Sequence, residues 1–152
     1  MEKGIPFEGW STGQRFETRG RTVADADILS FVATVGYAES LFLDMEYARK
    51  RGHPRRMAPA LLTASIADGL IIQTGRLDGY AVALLGMDGL AARAPVYAGD
   101  TIHVEVEVTG VRASKSRPDR GIVASRQRVR NQAGEEVLVY EVNRMVLREN
   151  PA

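Results

Sequence analysis

The chain has 152 residues, 45% apolar and 26% charged, with 20 basic side chains against 19 acidic for a formal net charge of +1. That length suits one domain with one core, the composition excludes a disordered or fibrous chain, and the even charge balance excludes a nucleic-acid footprint spread over the whole surface. Cysteine is absent, which excludes disulfides, thiol nucleophiles and thiolate metal sites and fits a reducing, cytoplasmic setting.

The first ten residues carry no apolar run behind a basic region, so no signal peptide is expected. Residues 14–23 are the candidate for a first strand. Thr22 and Asp25 then have capping-box spacing, and Ile28, Phe31, Val32 and Val35 follow at helical intervals, with Gly36 as a left-handed stop. A short second helix is expected from Asp44 to Gly52, because Asp is a good N-cap. Pro59 suits the first position of a third helix over 60–73. This helix is apolar or small on nearly every side, at Leu61, Leu62, Ala64, Ile66, Ala67, Leu70 and Ile71, and a helix apolar all round is expected to be buried all round. Thr63, Ser65, Asp68 and Gly69 interrupt it, so it is no membrane span.

The second half supplies strands. Segments 80–85 and 89–96 are short β candidates, and 101–108 alternates apolar and polar as a half-buried strand does. Segments 122–130 and 137–147 continue, divided by a turn at 131–134, and 117–121 is a further turn with Pro118 and Gly121. Strands grouped this way predict an antiparallel sheet. The expected architecture is α+β, in one domain over 1–152: a long buried helix wrapped by a curled antiparallel β-sheet, the hotdog arrangement.

The chemistry-bearing residues are few. His53 and His103 are too separated for an ordinary zinc site, and neither a P-loop nor a dinucleotide-binding glycine motif occurs. No metal and no tightly held cofactor is expected. Residues 49–56 hold five cations and no acid, which reads either as a solvated helix end or as a phosphate contact suited to Arg forks. Nucleic acid is disfavoured there because aromatic residues are not interleaved.

Several segments together resemble the MaoC-like hydratases and dehydratases, hotdog proteins that act on acyl thioesters of coenzyme A or acyl carrier protein. These are residues 16–28, 44–48, 61–70, 94–102 and 116–123. The resemblance implies an Asp and a His after the first helix, acting together as acid and base on the water that adds to an enoyl thioester. Here Tyr37 and Phe42 occupy those places, while Gly36, Leu41 and Asp44 agree with the family and the spacing needs no gap. The resemblance also implies an Ala-His-Gly whose glycine N–H forms an oxyanion hole. This chain has Ala58, Pro59 and Ala60. The Ala60 N–H remains available at a helix N-terminus, whereas Pro59 has none.

Phe42 cannot move a proton, and an unperturbed phenol near pKa 10 is only about one part in a thousand ionised at pH 7. Hydration by the family route is therefore expected to be weak or absent. The alternatives are a Tyr37 or Glu39 acid–base group and an acyl-CoA thioesterase using Asp68, which shares a helix face with Ala60. The remaining one is a non-catalytic acyl-CoA-binding subunit paired with an intact MaoC-like homologue. Arg55, Arg56 and Arg117 are the candidate contacts to coenzyme A, which enters as part of the substrate. No membrane association is expected. Unpaired sheet edges predict a homodimer or larger.

Overall fold

In the computed structural model, which describes residues 4–150, helix α1 (Asp25–Val35) buries Ile28 and Val32 and ends on Gly36 at φ 71, a left-handed turn that glycine makes without a Cβ clash. Its start differs from the expected Thr22 cap. The Ala24 N–H donates to the Asp27 carboxylate at 2.8 Å, so the acidic half of the capping box lies two residues later. Thr22 is recruited by the sheet instead, its hydroxyl meeting that of Thr101 at 2.8 Å.

Two short helices follow. Helix α2 (Ser40–Leu43) is one unpredicted turn, and α3 (Met45–Lys50) starts where expected. Asp44 caps α3 by accepting from the N–H groups of Glu46 and Tyr47 at 2.9 and 3.1 Å. Helix α4 (Ala60–Ile72) buries Leu62, Thr63, Ala64, Ile66, Ala67, Leu70 and Ile71, with Pro59 as its N-cap.

The strands are β1 (Arg15–Glu17), β2 (Arg21–Thr22), β3 (Ala81–Ala92), β4 (Thr101–Ala113), β5 (Arg120–Arg130) and β6 (Glu136–Leu147). The expected strand over 14–23 is split between β1 and β2, both antiparallel to β4. The two expected strands over 80–96 are one strand, β3, carried through register shifts near Gly86 and Gly89; a bulge lets a strand absorb residues that break alternation.

The sheet path is β1-β4-β5-β6-β3, with β2 beside β4. This corrects the expected curled sheet around a long buried helix. The terminal strands β1 and β3 are not neighbours on that path, so the sheet is open and does not close around α4. Nor is α4 buried all round. It has 13 residues, and Leu61 and Ile72 are about half exposed, at 49% and 50%. A uniformly apolar helix need not be buried all round, because an apolar side chain can remain uncovered on a single chain. What stands is an α+β, hotdog-like arrangement of modest helices on an antiparallel sheet.

The core lies between α4 and the inner face of β4, β5 and β6, where Val104, Val106, Val108, Val123, Val129, Leu138 and Val142 are buried. The outer face is a charge lattice. Arg130 meets Glu105 at 2.6 Å, Arg126 meets Glu141 at 2.7 Å, and Arg128 lies 3.6 Å from both Glu107 and Glu136. Strand β3 is different: Val82, Leu84, Leu85, Met87 and Leu90 are all exposed. Among the described residues no helix is long and apolar enough to cross a membrane.

Candidate functional site

A cavity of about 340 Å³ opens at the N-terminus of α4, lined by Phe42, His53, Pro59, Ala60, Thr63, Arg93 and Leu138 among others. Four backbone contacts fix its walls. The Ala58 N–H donates to the Val96 carbonyl at 2.7 Å, Met57 bridges Tyr97, and Arg93 and Ala94 donate to the Val137 carbonyl at 2.9 and 3.4 Å. Pro59 has no side-chain oxygen to cap α4, so the first N–H groups of the helix, Ala60 included, have no capping side chain. With the helix dipole behind them, they favour a partly negative oxygen.

Phe42 is buried at 5% and belongs to the same lining. Its ring centroid is 5.5 Å from that of Tyr37, which in turn is 6.2 Å from Phe31. Tyr37 itself is 40% exposed. Tyr37 and Phe42, the residues expected at the dyad positions, are therefore neighbours through aromatic packing. Glu39 is the exposed N-cap residue of α2 and lines a separate shallow cleft with Ser40, Leu41, Tyr47, Arg51 and His53.

Asp68 does not line this cavity. It is ion-paired with Arg144, whose side chain is 10% exposed. Beside them Tyr140 is buried with no hydrogen bond to its hydroxyl among the described residues. Burial, then the nearby Asp68 carboxylate, push the Tyr140 phenol well above its ordinary pKa, and Arg144 opposes this in part.

The proposed coenzyme A cations divide. Arg56 donates through Nε to Asp25 at 2.8 Å and through its guanidinium to the Phe42 carbonyl, tying α1 to α2. Arg55 donates to the Ala98 carbonyl at 2.9 Å and to Asp100 at 3.1 Å, and lies 5.1 Å over the Tyr97 ring. Burial raises the Asp100 carboxyl, but the Tyr97 N–H, the Gln132 amide and Arg55 outweigh it and hold the group below its ordinary value. Arg117 sits in the β4–β5 turn, at the end of β5 opposite the cavity, since Val129 rather than Arg120 pairs with Leu138. The three do not form one cluster within a chain.

Two cavity residues were not predicted, His53 and Arg93. Arg93 is exposed and makes no ion pair or side-chain hydrogen bond among the described residues. Its only signal in the sequence is its place two residues before Pro95.

Residues 11–139 match the family described as "FAS1-like, dehydratase domain region". A MaoC-like dehydratase from Rhodospirillum rubrum has the same fold at a TM-score of 0.86, with 31% identity over 97% of this chain and 99% of that one. The chain belongs to the MaoC-like dehydratase family. A monoamine oxidase regulatory protein from Archaeoglobus fulgius is also similar, at a TM-score of 0.89 and 28% identity over 98% of each chain. The (R)-specific enoyl-CoA hydratase of Aeromonas caviae is 33% identical over 90 residues, which is 59% of this chain and 65% of the hydratase. This MaoC-like chain thus matches slightly less than two thirds of that relative's length.

Proposed function

We propose that this MaoC-like chain binds acyl thioesters of coenzyme A or acyl carrier protein, with the thioester oxygen at the Ala60 N–H and the acyl group in the cavity toward Thr63 and Leu138. The observation that carries the reading is the apolar cavity placed against the uncapped N-terminus of α4. Enoyl hydration or its reverse is the lineage's reaction, and the Asp/His route to it is lost at Tyr37 and Phe42. Arg93, unpaired on the cavity wall, takes over the anionic end of the ligand; Arg55 and Arg56 are engaged by Asp100 and Asp25. Calorimetric titration with butyryl-CoA tests this. Saturable binding that Arg93→Ala weakens supports the reading, and no binding at millimolar ligand refutes it.

The working unit is a homodimer or larger. Strand β3 ends the sheet with one edge unpaired among the described residues and carries five exposed large apolar side chains. Natural proteins seldom leave such an edge uncovered.

A further inference from the structure

His53 is the titratable side chain that the cavity wall does contain. It is half-buried at the end of the α3 turn, where Gly52 at φ 90 reverses the chain and the His53 N–H donates back to the Ala48 carbonyl at 3.0 Å. Its Nδ1 lies 3.0 Å from the Tyr97 hydroxyl. Nε2 has no hydrogen-bond partner among the described residues. Tyr97 is itself anchored: its N–H donates to Asp100 at 2.8 Å, and Arg55, held by the same Asp100, lies over its ring. A hydroxyl can accept from a protonated Nδ1 and so leave the Nε2 lone pair free. An imidazole held by one nitrogen and free at the other is the usual form of a general base.

We propose that His53, positioned by Tyr97, is the acid–base group of this cavity, acting on short 2-enoyl thioesters in place of the lost pair at Tyr37 and Phe42. This rests on the binding site proposed above. In the hydration direction, Nε2 takes one proton from water as its oxygen bonds to the β-carbon. The π electrons move to the α-carbon and the thioester oxygen, which the Ala60 N–H holds. The imidazolium then returns its proton to the α-carbon, so one water has been added and His53 is neutral again. Glu39 and Arg51, which share the outer cleft with His53, and Arg93 within the cavity are the charged groups around it.

The test follows loss of enoyl absorbance with crotonyl-CoA for the wild type, His53→Gln, His53→Ala and Tyr97→Phe, each first matched for circular dichroism and for butyryl-CoA affinity. The expected result is slow turnover by the wild type and a kcat lower by roughly 100-fold or more in both His53 variants, with KM little changed. Added imidazole should restore part of the activity of His53→Ala, and Tyr97→Phe should show a smaller loss. Wild-type protein that binds butyryl-CoA yet never hydrates crotonyl-CoA overturns the assignment and leaves the binding site standing. So does turnover that survives in His53→Gln, or a loss that imidazole does not restore. Failure to bind butyryl-CoA at all overturns both.

Discussion

Tyr37 and Phe42 stand with their rings 5.5 Å apart, so an acid and a base placed there would be neighbours, with the residue at 42 in the cavity lining. Tyr37→Asp together with Phe42→His is therefore expected to raise enoyl-CoA hydration above the wild-type rate, while each single change does little, because an acid–base pair acts as a unit. The backbone is prepared for the exchange, since Arg56 holds the carbonyl of Phe42 and not its side chain. The gain is limited by Ala60 and Pro59, because a displacement of about 1 Å can remove roughly a hundredfold in rate. An absorbance assay with Phe42→Ala as the pocket-opening control decides it; a double variant that binds butyryl-CoA but adds no rate shows a remodelled pocket.

At Asp68 the expected outcome is structural. Asp68→Asn leaves Arg144, only 10% exposed, without its counter-charge. Breaking a fully buried pair costs about 3–5 kcal/mol. Asp68 is 30% exposed, so about 1–2 kcal/mol is expected here. Chemical denaturation reads this loss, and crotonyl-CoA hydration should be unchanged. Tyr37 and Phe42 at the expected dyad positions could be proposed from the sequence because that reading rests on the family resemblance and its gap-free spacing. His53 could not: the sequence shows one histidine in a loop, and only the turn at Gly52 and the hydroxyl of Tyr97 place it in the wall.

Among the elements, those with strong local signals came out closest to expectation. Helices α1 and α4 follow the apolar spacing, and β4, β5 and β6 follow alternation with turn residues between them. Element ends were less legible, because a Thr at 22 suits a cap and a strand equally and β4 settles the competition. The β3–β4 connection holds the most testable element. Asp100 is 3% exposed and gathers the Tyr97 N–H, Gln132 and Arg55. Its carboxyl is held below the ordinary value, so its contribution is complete above the unfolded-state pKa and disappears as pH falls through the lower folded-state value. Thermal melts across about pH 3–7 should show Asp100→Asn less stable at neutral pH by about 1–3 kcal/mol and the gap narrowing toward acid. A constant gap would remove Asp100 from the acid limb. Gly121 is a second position of this kind. The Phe7 ring lies so close over it that a Cβ would overlap ring carbons, and Gly121→Ala is expected to lower stability by roughly 1–3 kcal/mol through overpacking.

For the whole molecule, the open sheet was the feature least available to the sequence. Alternation reports that strands have two faces, and turn residues report where they reverse; neither reports whether the last strand returns to the first. The same openness leaves β3 with free hydrogen-bonding groups and an apolar surface. Light scattering is expected to show a dimer or larger at micromolar concentration. Replacing the exposed Leu84 with Lys should shift the distribution toward monomer, since a charge on an edge strand opposes pairing. Monomer in the wild type would count against the assembly proposed from β3.

The strand path also imposes an order of events on the growing chain. Strands β4, β5 and β6 follow one another through short turns, whereas β3, which precedes all three, pairs among the described residues only with β6. At a synthesis rate of ~5–20 residues per second, β3 leaves the ribosome several seconds before that neighbour does. During that interval an apolar strand is present without either edge satisfied, the condition in which nascent chains stick to one another. Chains interrupted between Arg130 and Glu136 should therefore accumulate as insoluble material or on chaperones, while those completed through Leu147 do not. The C-terminal strand is in this sense the chain's release from self-association during synthesis, quite apart from any ligand it later binds.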